Sequence, residues 1–594
     1  MKTPFHLHFT LLLAAAGLHG DSGNAPSATP EAGTAVPRII EVCSFGAVPD
    51  DDKNDFPAIR AAIEAAQEKT PSIVRFQPGR YILEDGGGAM AQHQFLALTG
   101  TRDITLEGNG AAFELRNPQL GFLATVQSEN IAVHDLFIDY NPLPFTSGRI
   151  LEVDPEDNRI RMELLPGHPA PDIEPLQSVA LKAWMCIHDP EEPGRIARDV
   201  NNFILLQRFE RLSPTVFDIY AQPGGGPRFR AASPGMVVSI IGRSPGAQLF
   251  ASQGNRGITY EGVTVYTSPE LVFVFVDTQD ITVRYCRILV PEGRFKSANG
   301  DGFHAQNCRG PIRIENNTFE GQVDDAINIY SKMALADTAG PAPGQLVLSR
   351  RMGASSRCET GRFLKGDPVV VYDLREGRVA HETVVSGSEN ARREVHLSSV
   401  PNDLEITDNE RYVLFNQGLC RDVRITGNTL RNNRRFGIFL KASDVLIRDN
   451  TFQGMSGTAI MISYEKHYWE AGFSRNIRIE QNRFHNTGFE AGYTQNRYMG
   501  TISILPGAVE AFNGLPKLDP GLEAASDIAI HDNLFMDPDT EIILGYASDI
   551  KLSGNRFRQV DSLGAAFSLP VTQFHVRGFQ ACGNEATPDN RHAP

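Results

Sequence analysis

Residues 422–430 read Asp-Val-Arg-Ile-Thr-Gly-Asn-Thr-Leu, and residues 444–452 read Asp-Val-Leu-Ile-Arg-Asp-Asn-Thr-Phe. In both stretches apolar and polar residues alternate, which is the pattern of a strand with one buried face. An asparagine follows, and asparagine tolerates the backbone geometry of a tight turn. Val423 and Val445 hold the same position in the two copies and are 22 residues apart. This repeat predicts the stacked coils of a β-solenoid.

The same pattern recurs along most of the chain. Further copies stand at residues 103–106, 130–133, 280–284, 311–319, 476–484, 527–535 and 549–557. The consensus of leucine-rich repeats, which have a similar period, is absent. We therefore predict an all-β fold, a right-handed parallel β-helix. Its core should contain one inward column made of Ile312, Val423, Val445 and Ile477.

An amphipathic helix precedes the coils. Four apolar residues, Ile59, Ala62, Ile63 and Ala66, fall on one helical face. Asp55 stands where an N-cap residue is expected. Because a solenoid has open ends, we predict that this segment is an N-terminal capping helix.

Two segments interrupt the repeat, and both contain hairpin signals. We interpret them as two inserted small antiparallel β-barrel domains. The predicted organisation is a signal peptide (1–25), a linker (26–37), N-terminal coils (38–140), a first barrel (141–237), central coils (238–332), a second barrel (333–417), C-terminal coils (418–585) and a tail (586–594).

The N-terminus and the composition restrict the location and the partners. Lys2 and the apolar run from Phe9 to Leu18 have the form of an export signal and are too short to span a membrane. We predict export to the periplasm, the cell surface or the medium. With 56 basic and 71 acidic side chains, the chain is a poor candidate for binding nucleic acid. Seven cysteines show no metal-binding spacing, so we expect no metal and no cofactor. Disulfide pairing and homo-oligomerisation stay open.

Three aspartates stand in the central coils. If the coils are aligned on Gly302-Phe303 and Ala326-Ile327, Asp301 and Asp325 stack on adjacent coils, and Asp324 precedes them by one position. Crowded carboxylates raise at least one pKa. Glycoside hydrolysis needs such a set, with one carboxyl protonated and another ionised. Since a strand sends neighbouring side chains to opposite faces, Asp324 and Asp325 share a cleft only if the chain bends before Ala326.

The sequences Asn299-Gly-Asp-Gly-Phe-His and Val323-Asp-Asp-Ala-Ile-Asn-Ile resemble the active-site motifs of glycoside hydrolase family 110, the α-1,3-galactosidases. The resemblance extends over nearly the whole mature chain, and the N-terminal stretch resembles pectin-lyase-like β-helix proteins. It implies an inverting exo-hydrolase that releases terminal α-1,3-linked galactose from blood-group-B-type glycans and from some linear glycans. By analogy with polygalacturonases, it also implies Asp324 as the acid and Asp301 with Asp325 as the pair that activates water.

Six further residues are predicted to contact the sugar. His304 and Asn328 share a register on adjacent coils, and Arg435 aligns with Asp324 one coil later. Lys441 is a further candidate. Trp469 offers an aromatic face and Glu470 a carboxylate for hydroxyl groups. Each residue type also occurs in purely structural roles.

Two other functions fit the fold. One is a polysaccharide lyase or polygalacturonase-like enzyme, although the Arg-Ile-Lys tripeptide that holds polyuronate in polygalacturonases is absent. The other is a non-catalytic carbohydrate-binding β-helix. On stereochemistry, Asp301 and Asp325 stack too closely to form the acid–base pair of an inverting enzyme. They can jointly hold one water while Asp324 approaches from the neighbouring column, so we predict inversion.

Overall fold

The computed structural model describes residues 36–85, 93–173, 176–177, 184–201, 203–340, 344–348, 362–373, 378–389, 393–400, 411–463, 470–490, 500–506, 525–537, 541–559 and 568–588. Over these residues the chain winds into a parallel β-helix. A complete coil contributes one strand to a first sheet, one to a second sheet beyond the asparagine turn, and one to a third sheet. The predicted β-helix is confirmed.

Parallel strands build each sheet, and three long strands turn a corner to serve two sheets. The first sheet contains Arg38–Glu41, Ser72–Arg75, Arg102–Leu115, Glu129–Tyr140, Arg256–Glu261, Gln279–Arg284, Arg309–Glu315, Arg421–Thr426, Ser443–Arg448, Ser474–Glu480, Ala525–His531, Ile542–Ser553 and Gln580–Cys582. The second contains Gly79–Leu83, the second halves of Arg102–Leu115 and Glu129–Tyr140, Thr264–Val265, Arg287–Ile288, Thr318–Glu320, Thr429–Arg431, Thr451–Gln453, Arg483–His485, Leu534–Phe535, Arg556–Gln559 and Glu585–Pro588. The third contains Gln94–Thr99, Gly121–Val126, Phe250–Gln253, Phe273–Val276, Phe303–Gln306, Ile327–Lys332, Ile438–Leu440, Ile460–Ile462, Ile502–Ile504, the first half of Ile542–Ser553, and Val571–Arg577.

The register of the first sheet follows the sequence repeat. Ile312 pairs with Val423, Val423 with Val445, and Val445 with Ile477, all on parallel strands. The four side chains are buried in one continuous core. The predicted inward column is therefore confirmed.

Asparagines at the turn between the first and second sheets form a ladder along the axis. The side-chain Nδ2 of each donates to Oδ1 of the next at 2.9–3.0 Å. The ladder consists of Asn317, Asn428, Asn450, Asn482, Asn533, Asn555 and Asn584. Because a buried amide without partners is costly, this ladder fixes the alignment of each coil on the next.

The helix Phe56–Glu68 covers the N-terminal end of the solenoid and buries the predicted apolar face. Asp55 occupies the N-cap position, as predicted, but its side chain makes no capping bond to the helix. Its carboxylate accepts instead from the backbone N–H groups of Val48 at 2.9 Å and Ile82 at 3.0 Å. Those two amides belong to neighbouring segments that would otherwise lack a partner, so they compete successfully for the carboxylate.

Two six-stranded barrels interrupt the coils, and each is closed and antiparallel. The first is built from Phe145–Asp154, Arg159–Leu164, Trp184–His188, Ile204–Arg211, Val216–Ala221 and Val237–Ile241. The second is built from Ala334–Ala339, Gln345–Leu348, Pro368–Asp373, Arg378–Glu389, Glu394–Leu397 and Tyr412–Asn416. Each encloses its own apolar core. The 3-10 turns Val42–Phe45 and Gly226–Phe229 complete the elements.

Within the described ranges, no helix combines the length and the apolar character needed to cross a membrane. The six cysteines described there, Cys43, Cys186, Cys286, Cys308, Cys420 and Cys582, are free thiols. The predicted signal peptide and residues 26–35 of the linker lie outside the described residues.

Candidate active site

The candidate site lies on the outer face of the third sheet, between the two barrels. In the strand Phe303–Gln306, Phe303 and Ala305 point into the core, so His304 and Gln306 point outward. On one side, Val323 packs against the first barrel. On the other side, Phe473 packs against the second barrel.

Three carboxylates converge at the start of these strands. One oxygen from each of Asp301, Asp324 and Asp325 lies within 4.8 Å of the others. The pairing of Phe303 with Ile327 places Asp301 and Asp325 on adjacent coils, as the alignment predicts. Residues 323–326 form bends before the strand begins, and this lets the neighbouring Asp324 and Asp325 share one cleft.

Two arginines form ion pairs with this cluster. Arg243 forms an ion pair with Asp324. Arg435 Nη1 lies 3.1 Å from Asp325 and 3.6 Å from Asp324, which agrees with its predicted alignment. The backbone N–H of Phe436 also donates to Asp325 at 3.2 Å. The cluster is therefore an ion-paired network rather than three unpaired carboxylates.

The charges around Asp324 oppose the role that the resemblance implies. Burial alone would raise the pKa of Asp324, but the guanidinium groups of Arg243, Arg435 and Arg434 hold it well below its usual range. A general acid must carry a proton before it can donate one. These ion pairs favour the ionised form of Asp324.

Glu270 is a fourth carboxyl at this centre that the sequence analysis missed. It is buried, and its Oε1 lies 3.7 Å from Arg243 Nε. The pKa of Glu270 is raised to about 8. Burial is the main cause, Arg243 opposes it, and the charges of Asp301 and Asp324 add to it. The site thus places a carboxyl whose pKa is raised beside one whose pKa is lowered.

His304 links Asp301 to the middle of the sheet. Its Nδ1 lies 2.7 Å from Asp301 Oδ2, and its Nε2 lies 2.9 Å from Tyr330 Oη. Tyr330 Oη donates to Gln306 Oε1 at 2.8 Å. If the Tyr330 hydroxyl donates its proton to Gln306, its oxygen can only accept in the contact with His304, and His304 Nε2–H is then the donor. The Nδ1 contact with Asp301 then contains one shared proton.

A second buried ion pair lies further along the same face. Lys441 Nζ donates to Asn328 Oδ1 at 3.0 Å and to Glu470 Oε2 at 3.1 Å. Lys332 Nζ lies 3.9 Å from Glu470. Burial would raise the pKa of Glu470, but Lys441, Lys332 and His304 lower it. The predicted residues Asn328, Lys441 and Glu470 therefore form one contiguous polar cluster.

The structure brings eight of the nine predicted residues together on this face. The ninth, Trp469, lies outside the described residues. The missed Arg243 stands two residues after the buried strand Val237–Ile241, where the first barrel returns the chain to the coils. Glu270 is a single acid beside the apolar run 271–276. A charged residue at the edge of a buried strand is the signal that would have identified both.

The three carboxylates are also the residues with the geometry to hold a cation within the described ranges. Oxygen ligands of this kind suit hard divalent ions. Arg243 and Arg435 already occupy the charged side of the cluster. A cation bound there would compete with these two guanidinium groups for the carboxylates.

The fold and the site define the class of the protein. Residues 398–505 match the family model described as "Right handed beta helix region", which agrees with the predicted handedness. A β-helix with a cluster of carboxylates on its outer face has the parts that a glycoside hydrolase needs.

Similar proteins give a more particular indication. Alpha-1,3-galactosidase B of Phocaeicola vulgatus is 23% identical over 554 residues, which cover 86% of this chain and 90% of the relative. Alpha-1,3-galactosidase B of Akkermansia muciniphila is 22% identical over 595 residues, covering 94% and 70%. These relatives confirm the predicted resemblance and the prediction of a glycoside hydrolase.

A solved structure, the family 28 exopolygalacturonase of Yersinia enterocolitica, aligns with a TM-score of 0.38 and 13% identity over 92% of this chain and 79% of its own. A similarity of this size gives no basis for transferring an activity.

Proposed function

We propose that the protein is an exo-acting α-1,3-galactosidase that releases terminal galactose with inversion. The observation that carries the proposal is the convergence of Asp301, Asp324 and Asp325 within 4.8 Å between the two barrels. The names of the relatives, which align over most of the chain, support galactose and the α-1,3 linkage. Blood-group-B-type and linear α-1,3-galactosyl glycans are the substrates that the resemblance implies.

Hydrolysis by such a site requires one proton removed and one proton supplied. Asp301 and Asp325 flank a position for water, and one of them takes a proton as the water oxygen bonds to the anomeric carbon. The bond from that carbon to the leaving oxygen breaks, and the acid protonates this oxygen. Of the three side chains, that of Asp324 is the most exposed, at 16%, against 7% for Asp301 and 0% for Asp325. We therefore keep Asp324 as the candidate acid.

Proton donation by Asp324 has a condition. Because Arg243 and Arg435 stabilise its ionised form, a bound sugar must weaken at least one of these ion pairs for Asp324 to carry a proton. Catalytic contacts often reach their working geometry only in the substrate complex. Asp301, bonded to His304, is the alternative acid if Asp324 stays ionised.

The proposal of inversion is supported by the family resemblance and not by the distances between the carboxylates. Acid and base in inverting enzymes are typically about 6.5–9.5 Å apart, and those of retaining enzymes about 5–5.5 Å. The limit of 4.8 Å joins one selected oxygen of each carboxylate, so it assigns the cluster to neither range. The first-formed sugar therefore decides the question, since β-galactose detected by NMR before mutarotation supports inversion and α-galactose overturns it.

A panel of galactosides tests the proposed function. We expect galactose release from α-1,3-linked substrates with and without a neighbouring fucose, and none from α-1,4- or α-1,6-linked ones. Asp325→Asn should abolish release, whereas Asp444→Asn, on the exposed edge of the first sheet, should not. Release of unsaturated uronides from polyuronate would indicate a lyase instead. If no sugar is released from any substrate, the fold serves binding only.

We also propose that the protein is exported. Lys2 and the apolar run from Phe9 to Leu18 support this. N-terminal sequencing of protein recovered outside the cytoplasm should begin within or shortly after residues 20–25. A start at Met1 would contradict the proposal.

A further inference from the structure

A polar groove runs along a different edge of the β-helix. It follows the turns between the third and first sheets on five consecutive coils, at residues 100–102, 127–129, 254–256, 277–279 and 307–309, and has a volume of about 950 Å³. Four steps of about 4.8 Å make it about 19 Å long. The end of the capping helix, with Gln67, closes one side, and the second barrel contributes further lining residues. An extended ligand fits this shape better than a compact one.

The groove is separate from the carboxylate cluster. Asp301 precedes the strand Phe303–Gln306, whereas Asn307 follows it. Six residues of extended chain, at about 3.3 Å each, separate the two positions by about 20 Å. A ligand in the groove therefore makes its contacts without occupying the site of hydrolysis.

The charge balance of the groove is opposite to that of the whole chain. The groove is lined by four arginines and two acidic residues, Glu129 and Asp277, while the chain carries 56 basic and 71 acidic side chains. The remaining lining is mostly hydroxyl, amide and glycine, and no aromatic residue is among it. Such a surface suits a hydroxyl-rich ligand that carries negative charge.

Hydrogen-bond donors without partners stand at the second-barrel end of the groove. Asn307 is 2% exposed, and its Oδ1 accepts from the Lys332 N–H, but its Nδ2 has no acceptor. Nε and Nη1 of Arg362 also make no hydrogen bond, and the carboxylate of Asp277 lies 3.9 Å from Nε. A buried donor left unpaired destabilises the fold. All three atoms are donors, so a ligand would have to supply acceptors.

Arg309, in the same groove, has hydrogen-bond partners for both terminal nitrogens of its guanidinium group. Its Nη1 and Nη2 each donate to Asp367, at 2.8 and 2.7 Å. Arg309 is therefore held by the second barrel, whereas Arg362 retains unused donors. This difference singles out Arg362 as the recognition residue.

We propose that this groove is a second carbohydrate-binding site, for an oligosaccharide that carries an anionic group. The anionic group lies against Arg362 and Asn307, and the neutral sugars lie along the polar turns toward the capping helix. This site needs no hydrolysis, so it stands whether or not the protein is a galactosidase.

Direct binding measurements test the groove. The probes are 3′-sialyllactose, which carries a carboxylate, 3′-sulfolactose, which carries a sulfate, and neutral lactose as the uncharged control. None has a terminal α-galactose, so turnover plays no part. By calorimetry at millimolar ligand we expect at least one anionic probe to bind. Lactose should bind at least about tenfold more weakly than this probe, because tenfold in affinity corresponds to one lost charge-assisted hydrogen bond. The better anionic probe identifies the charged group.

Two variants locate the binding. Arg362→Gln should weaken the anionic probe about tenfold, and Arg478→Gln, an exposed change on the first sheet, should leave it unaltered. If thermal melting shows that Arg362→Gln is misfolded, Asn307→Asp takes its place, because it keeps the acceptor for the Lys332 N–H and replaces the unpaired donor with a carboxylate. Binding equal to wild type in the folded groove variant, equal binding of lactose, or no binding of either anionic probe would overturn the proposal.

Discussion

The Arg243 guanidinium contacts the Asp324 carboxylate across 81 residues of sequence. Arg243 Nε also donates to the Asn299 carbonyl oxygen at 2.9 Å and lies 3.7 Å from Glu270. Arg243 comes from the junction of the first barrel with the coils, whereas Asp324 belongs to the turn before the next core strand. One side chain therefore couples the position of the barrel to the charge state of the carboxylate cluster.

The first prediction concerns this arginine. In Arg243→Met the pKa of Asp324 should rise, because the largest favourable charge on its ionised form is lost. We expect kcat/KM to fall about 10²-fold, as for a displaced catalytic group. The limb of the pH profile that reports Asp324 should move to higher pH. Arg195→Met, which breaks a part-buried ion pair in the first insertion, serves as control, and an Arg243→Met profile that superimposes on the wild type would contradict the coupling.

The second prediction concerns Glu270. Its pKa in the folded protein is about 8, above its usual 4.5. Below that usual value both folded and unfolded forms are protonated. Between the two values only the unfolded chain loses this proton, so stability falls with rising pH, by about 1.4 kcal/mol per pH unit.

Glu270→Gln removes this titration. The melting temperature of the variant should therefore increase steadily relative to that of the wild type from about pH 5 to pH 8. Above pH 8 the difference should stay constant. Glu64→Gln, on the exposed face of the capping helix, provides the matched change and should show no such trend. A constant difference across that range would mean that Glu270 is already ionised in the folded protein.

The third prediction separates the acid from the base. Asp324→Asn should reduce kcat about 10²–10⁴-fold on natural glycans, whose leaving groups need a proton, and far less on activated aryl galactosides. Asp301→Asn and Asp325→Asn should slow both kinds of substrate alike. If Asp301→Asn shows the selective loss instead, the proton shared with His304 is the one donated.

The fourth prediction concerns the asparagine ladder. Asn450 accepts from the N–H and Nδ2 of Asn428 and donates to Ile425 and Asn482. In Asn450→Ala several buried groups lose their partners, so the free energy of unfolding should fall by about 2–5 kcal/mol, measured from urea unfolding. Thr451→Ala, at the half-buried next residue, should stay within about 0.5 kcal/mol of wild type. Equal effects of the two changes would show that the ladder does not stabilise the coils.

The fold was accessible from the sequence because each coil repeats the same local signals. Alternation identifies the strand, and asparagine marks the turn, so Val423 and Val445 align without knowledge of the rest of the chain. Asp55 shows the limit of local reasoning. It occupies the predicted N-cap position, but its carboxylate binds the backbone amides of Val48 and Ile82 instead of those of the helix.

The sequence predicts the candidate site only for residues that belong to the repeated coils. Alignment of coils brought Asp301, Asp325 and Arg435 together, because residues in equivalent positions stack. Arg243 and Glu270 have no counterpart in a motif. Their approach depends on how the barrel leaves the coil and on burial, and neither is expressed in the spacing of residues. The pKa of Asp324 depends on these neighbours, so its charge state was not accessible either.

The ladder bears on how a scaffold of this kind acquires new parts. Asn317 bonds to Asn428 at 3.0 Å across 111 residues, and Asn428 bonds to Asn450 at the same distance across 22. The contact between consecutive coils is thus the same whether a short segment or an entire barrel lies between the two asparagines. Because closing a loop costs only about 0.6 kcal/mol more for each doubling of its length, a gene can gain or lose a domain at the corner between the third and first sheets, where the second barrel is inserted, with the core left unchanged. Evolution can remodel the surroundings of the active site by insertion, while the solenoid that carries it is inherited intact.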